Sequence, residues 1–396
     1  MKGLLEKIVT GIITCSGFLT SIVILLIVVF LFSEGFGLFS QKTIEDGYSL
    51  VVNRSNPVDE LDAEQIKAVF DEDITDWKDV GGNAGRIMVF RFDDMLNYFS
   101  EEELGAEYEH AGDCIDRLVA DNPGIIGFVP TEFVGDGFHG KRLTDHKIDF
   151  GEVFGGTEWF PTATPAPQFG FMPLVLGTIW VTVFAILFAL PFGLAVSIYM
   201  SEVAGERTRA VLKPVIELLN GIPSVVYGFF GLIVIVPLLQ DVFGLPVGES
   251  GLAGAIVLAI MALPTIITVG EDAMLNCPRS QREASLALGA SKWQTIYKVV
   301  MPYSISGITS GVVLGIGRAF GETMAVLMVT GNAAVIPLSI TDPLRTIPAT
   351  IAAELGEAPA GGPHYQSLFL LGVVLFFITL IINTSVEMIS ARQNRK

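Results

Sequence analysis

The chain has 396 residues, a formal net charge of -18, 51% hydrophobic and only 17% charged residues, with a mean hydropathy of +0.57. These totals exclude an ordinary soluble globular protein and a basic nucleic-acid binder, and place the chain among membrane proteins. The acidity is local: residues 41–165 hold about 27 acidic against about 10 basic residues, and the remainder is close to neutral.

Taken in order, the first apolar run covers residues 8–32, behind Lys2 and Lys7 and with no small-residue cleavage site after it. That pattern predicts a retained anchor rather than a removed signal peptide. Residues 41–165 follow as a polar segment of α/β texture. The stretch VVNRSNPVDELDAEQIKAVF gives a β-branched run, a turn around Asn56 and Pro57, and a polar helix from about Leu61. At about 125 residues it is long enough for a modest core. WFPTATPAPQFG, residues 159–170, reads as an extended Pro/Thr/Ala linker back to the membrane. The predicted domains are therefore 1–40, 41–165 and 166–396.

Five further runs of spanning length are predicted at residues 171–200, 214–239, 252–269, 304–329 and 367–388. Lys2, Lys7, Arg207, Arg209, Lys213, the basic loop 279–298, and Arg392, Arg395 and Lys396 all fall on one side. The opposite loops are poor in Lys and Arg, which predicts cytoplasmic termini and an extracytoplasmic acidic segment. Helix breakers occur at Pro191 with Gly193, at Gly221, Ile222 and Pro223, and at Pro264. Breaks at membrane depth serve either as packing kinks or as the lining of a path. On the second reading GIPSVVYG contributes Ser224 and Tyr227. Gly307, Gly311, Gly315 and Gly317 predict close helix approach.

Residues 271–332 join two dissimilar halves. REASLALGASKWQTIYKVVMP, residues 282–302, is polar, helix-forming and broken by Gly289, so it predicts two short helices forming a solvent-side knob. The following span carries Arg318 and Glu322, four residues apart. Charge at that depth costs at least a few kcal/mol and marks a functional-site hypothesis. Spaced i and i+4, the two predict either a self-neutralising packing pair or an arginine fork for an oxyanion, steadied by Glu322 until substrate arrives. Thr323 adds a hydroxyl if the helix unwinds there. On the second reading, neutralising either charge is expected to abolish transport. No G-x-x-x-x-G-K-[ST] phosphate loop occurs, and Cys15, Cys114 and Cys277 are too scattered for a metal site or a disulfide framework.

The knob resembles the EAA motif of ABC-importer permeases. Glu283, Ala284 and Gly289 match its positions, and Ser285 stands where the second alanine is usual. LGIGRAFGETMAVLMVTGN together with GIPSVVYGFFGL resembles the PstC family, permease subunits of phosphate ABC importers. The resemblance implies an all-α polytopic protein of the type I ABC importer permease fold, six transmembrane helices, and an inserted extracytoplasmic α/β domain. Five helices and the coupling loop 271–302 lie in the last domain. It also implies a PstA-like second permease subunit, a PstB-like ATPase dimer that uses ATP and Mg, and a PstS-like phosphate-binding protein. The chain itself would be a transport subunit without a cofactor. A phosphate-sensing role and a permease for molybdate or sulfate are the alternatives.

The insert departs from that family. Residues 51–82 and DNPGIIGFVP resemble a piece of a PstS-like phosphate-binding protein. Where that family grips phosphate, however, this chain reads FRFDDMLNYFSEEE, in which only Arg91 and Asp93 echo the pattern. The resemblance implies one lobe of a binding protein that has lost its ligand residues.

Overall fold

In a computed structural model that describes residues 2–105, 107–135 and 137–393, the N-terminal run is one helix, α1 (Lys2–Gly37). The basic residues Arg395 and Lys396 lie outside the described residues. The chain divides into two compact units. One is made of residues 36–171 and 361–367, and the other of residues 1–35, 172–360 and 368–396. The first is wider than the 41–165 segment set off by composition, because the aromatic residues flanking it and a short return of the C-terminal region join its core.

In the first unit the elements are β1 (Tyr48–Val52), α2 (Ala63–Phe70), β2 (Met88–Arg91), α3 (Glu101–Leu104), α4 (Ala111–Asp121), β3 (Ile125–Pro130), β4 (Lys141–Arg142), α5 (Phe150–Gly155), β5 (Trp159–Phe160) and β6 (Gln168–Phe169). The four-stranded sheet has the order β2-β3-β1-β4. β1 runs antiparallel to β3, pairing Leu50 with Phe128, and β2 runs parallel to β3, pairing Met88 with Ile125. Because side chains alternate along a strand, the sheet buries two faces. Leu50, Val52, Ile126 and Phe128 pack with Ile66, Val69 and Phe70 of α2. Val51, Phe90, Ile125 and Val129 pack with Ile115 and Val119 of α4. Asp62 starts α2 one residue beyond the expected Leu61, through a capping box with Gln65.

The expected linker is a folded part of this unit. β5 and β6 pair as an antiparallel ribbon, Trp159 is buried, and the buried Gln168 amide donates to the carbonyl of Ala63 at 3.0 Å. Pairing of the backbone and burial of the aromatic side chains outweigh the Pro/Thr/Ala composition.

His146 ties two segments of the same unit. Its Nδ1 lies 2.6 Å from Glu60 Oε1, and its Nε2 lies 3.4 Å from Glu152 Oε1. The hydrogen bond to Glu60 raises its pKa above the usual imidazole value; partial burial opposes this, and the charge of Glu152 adds to the rise. A raised folded-state pKa stabilises the fold below the unfolded value, and this contribution is lost as pH climbs through the folded value. His146→Gln is therefore expected to lower stability by up to about 1 kcal/mol at about pH 5.5 and by less at about pH 8.5. Thermal unfolding of the full chain in detergent at both pH values checks this; an equal loss at both would exclude the charge effect.

In the second unit α1 meets the last helix, with Phe30 edge-on to Phe369 at 5.4 Å. The chain then forms α6 (Met172–Ile198), α7 (Glu206–Gly221), α8 (Ser224–Phe230), α9 (Val236–Phe243), α10 (Gly251–Leu275), α11 (Arg279–Ala287), α12 (Lys292–Thr295), α13 (Met301–Gly321), α14 (Met324–Val329), α15 (Ile347–Glu354) and α16 (Pro363–Gln393). Five-residue π-turns occur at Tyr199–Val203, Gly231–Ile235 and Ile296–Val300. Six helices among the described residues are long and apolar enough to cross a membrane: Val9–Ser40, Met172–Val203, Ser224–Phe243, Gly251–Leu275, Lys292–Gly321 and Pro363–Ser385. The protein is a helical polytopic membrane protein.

Two predicted spans are drawn differently in the structure. The run at 214–239 is interrupted, since Ile222 and Pro223 are extended and α7 ends at Gly221. The run at 304–329 starts earlier, at Lys292, and breaks at Glu322, whose ψ is 130°. Pro191 and Pro264 lie inside continuous helices and break nothing. α10 is the central helix, packed on α6 and α13. Its contact with α13 is close because a Cβ on Gly307, Gly311 or Gly315 would meet Ala273, Val269 or Ile266, whereas Gly317 faces open space.

Candidate functional site

The two broken helices come together at their breaks. α8 and α14, the short helices that follow the breaks, pack on each other. They approach closely at Gly228, where a Cβ would lie 2.8 Å from Met328 Sδ and 2.9 Å from Ala325 Cα. Unwound backbone inside a membrane is tolerated only where protein or a polar cavity satisfies its groups. Two adjacent breaks therefore set off a polar locus within an apolar bundle.

Arg318 sits in the last turn of α13, half-buried. Its Nη1 donates to Asn220 Oδ1 at 3.0 Å, across to the last turn of α7. Glu322 is on the extended residue after α13 and not on the helical face of Arg318. Its Oε1 accepts from the backbone N–H of Thr323 at 3.2 Å and of Ala325 at 3.4 Å, so it caps α14. The i,i+4 geometry assumed from spacing fails because the helix ends between the two residues. Thr323 does lie in the unwound step, where its Oγ1 donates to the carbonyl of Gly321 at 3.2 Å.

Tyr227 is buried on α8, and its hydroxyl donates to the carbonyl of Leu219 at 2.8 Å, one residue from Asn220. Ser224 opens α8 directly after Pro223. Arg318, Tyr227 and Asn220 thus share one locus, with Thr323 and Glu322 at the second break. Asn220 was not legible as a site residue, because nothing in its surrounding sequence separates it from a helix-ending asparagine.

The knob has the expected shape. α11 and α12 flank Gly289, which has φ +83°, and Ser285 Oγ meets Thr295 Oγ1 at 2.9 Å to fix their angle. Glu283, Ala284 and Gly289 are exposed. So are three large apolar side chains, Leu288 (90%), Trp293 (68%) and Tyr297 (76%). An apolar cluster this exposed on a polar knob marks an interaction surface. α12 runs without interruption through the π-turn into α13, so the second helix of the knob and the span carrying Arg318 are one element.

A second group of charges lies near the knob. Glu271, on α10, is buried and faces Arg209 Nε at 3.4 Å and Lys213 Nζ at 3.6 Å. Arg282, on α11, pairs with Glu202 at 2.9 Å. An acidic residue, here followed directly by Asp272, at the end of an apolar span is the signal that could have singled out Glu271 from sequence.

Residues 189–396 match the family described as binding-protein-dependent transport system inner membrane component. The chain is 42% identical over 242 residues to the probable ABC transporter permease protein YqgH of Bacillus subtilis, covering 61% of this chain and 78% of the relative. It is 36% identical over 262 residues to the phosphate transport system permease protein PstC of Xylella fastidiosa, covering 61% and 79%. Among solved structures it is similar to an inward-facing MetNI methionine ABC transporter, with 18% identity, a TM-score of 0.44, and 55% of this chain and 94% of that chain covered. With more than half its length inside the family match, and the broken helices and exposed knob in that half, the chain belongs to the inner membrane components of binding-protein-dependent transport systems.

Proposed function

We propose that the chain is a PstC-type permease subunit that carries inorganic phosphate inward across the cytoplasmic membrane. The observation that carries this reading is Arg318, a permanent cation at the meeting point of two helix breaks, held by a neutral amide rather than by a carboxylate. A guanidinium so held is oriented without being neutralised, and offers a tetrahedral oxyanion parallel N–H donors. Discontinuous helices are a recurrent way to build an anion site at membrane depth. Ser224, Tyr227 and Thr323 supply hydroxyls along the same path, and Glu322 holds the α14 terminus in place.

On this reading the knob of Glu283, Ala284 and Gly289 receives a PstB-like ATPase dimer, which uses ATP and Mg. A PstA-like subunit completes the pore and a PstS-like protein delivers phosphate. Both termini are cytoplasmic and residues 41–165 extracytoplasmic. The insert resembles a binding-protein lobe without a phosphate grip. Consistent with this, Arg91 donates to the carbonyl of Phe70 at 3.0 Å and covers the Phe70 ring. The role of the insert on this reading is to dock the binding protein or to stabilise the pore mouth.

The test is uptake of labelled phosphate into proteoliposomes carrying the chain with its co-purified partners. Phosphate-dependent ATP hydrolysis and uptake that excess molybdate or sulfate leaves untouched are expected. Competition by either anion would reassign the substrate, and absence of uptake with intact regulation would favour a sensor.

A further inference from the structure

We propose that Asn220 is the positioning residue for Arg318, and that α7 ties this contact to the knob. The proposal rests on the reading of Arg318 as the phosphate contact. An amide oxygen directs one guanidinium N–H but lacks the charge to compete with phosphate, so the contact holds Arg318 in line and yields when an anion arrives.

Asn220 stands in the last turn of α7, a helix of 16 residues and therefore a rod of about 24 Å. The first turns of the rod are gripped firmly. Arg209 Nε donates to the carbonyl of Met200 at 2.9 Å and its Nη2 to that of Ser201 at 3.0 Å. With Lys213 it also faces the buried Glu271. Met200 and Ser201 belong to the π-turn Tyr199–Val203, where the wider turn moves carbonyls off the regular ladder.

The knob holds the same π-turn from its own side. Arg282 pairs with Glu202 in that turn and donates to the carbonyl of Met274 at 2.6 Å, one turn beyond Glu271 on α10. Two arginines, one from the rod and one from the knob, thus hold a single five-residue turn. Displacement of α11 acts on the turn through Glu202 and on the rod through Arg209, and so on the far end of the rod, where Asn220 meets Arg318. Ordinary packing would need no such shared anchor, and α7 has no buried residue of its own among those described.

The test measures phosphate uptake and ATP hydrolysis in the same proteoliposomes of the full transporter. Asn220→Ala is expected to lower phosphate carried per ATP roughly tenfold, the scale of one hydrogen bond to a charged group, with hydrolysis retained. Asn220→Gln, which keeps the amide, restores most of it. Isosteric Asn220→Asp assembles normally and slows uptake, because a carboxylate holds the guanidinium against phosphate. Glu202→Gln, which weakens the grip of the knob, lowers the ratio in the same direction. An unchanged ratio in Asn220→Ala, wild-type uptake in Asn220→Asp, or uptake and hydrolysis falling together in assembled complexes would overturn the proposal. Arg318→Gln in the same assay separates the two readings. If it transports normally, the reading of Arg318 fails and the proposal with it; if it is inactive while Asn220→Ala transports normally, only the proposal fails.

Discussion

An Arg318→Gln chain is expected to insert and assemble but to carry phosphate more slowly by about two orders of magnitude or more. Glutamine ends two atoms short of the guanidinium nitrogen that meets Asn220, so that contact is lost together with the permanent charge and the parallel N–H donors. Two charge-assisted hydrogen bonds to an oxyanion, at about 1.5–3 kcal/mol each, set the size of the effect. Arg318→Lys keeps the charge without the fork, and falls between the two. Initial rates of labelled phosphate uptake, normalised to complex in the membrane, decide it: a rate within about twofold of wild type in Arg318→Gln would remove this residue from the path. The structure changes the companion expectation for Glu322. Because its carboxylate caps α14 through Thr323 and Ala325, glutamine keeps an acceptor oxygen in place. Glu322→Gln is therefore expected to be much the milder substitution, and not the equal of Arg318→Gln that their spacing suggested.

How much of this was legible in the sequence depends on whether the signal was local. Length and apolarity gave six spans because a membrane helix has to be apolar along its own length. Gly289 gave the corner of the knob because its left-handed backbone is a property of one residue. Breaks were harder. Pro191, Pro264 and the Gly221, Ile222, Pro223 group looked alike in sequence, yet the chain unwinds only at the last. Pro191 is exposed and Pro264 buried, so neither the proline itself nor its burial decides where a helix unwinds. At Glu322 the helix ends with no proline at all. Spacing rules assume a continuous helix, so the supposed Arg318 and Glu322 pair was lost with the break. Asn220 and the π-turn around Glu202 were invisible for the same reason, since their partners come from segments far apart in the chain. In the insert, strand alternation was readable but the β5 and β6 ribbon was not, because prolines between the two strands mask a pairing that depends on Trp159 and Gln168 being buried.

Substitution of Gly289 by valine is expected to uncouple the transporter while sparing insertion, and substitution by asparagine is expected to be tolerated. Both add a Cβ to open space, since nothing lies within 4 Å of that position, so volume cannot separate them. The backbone can: φ is +83°, a region that asparagine enters readily and a β-branched residue does not. Valine must either bear a strain of about 1–3 kcal/mol or rotate α11 against α12. The second course moves Leu288, Trp293 and Tyr297, the exposed apolar side chains that give the knob its contact surface. Because α12 continues through the π-turn into α13, a misplaced knob also misdirects force toward Arg318. Association with the ATPase and phosphate uptake should therefore fall together in Gly289→Val, by about tenfold or more, with the amount of inserted chain unchanged. Co-purification of the ATPase, measured beside uptake, checks this. Wild-type behaviour of Gly289→Val would mean that the corner is not part of the docking surface, and equal damage from asparagine and valine would assign the effect to added bulk instead of backbone geometry.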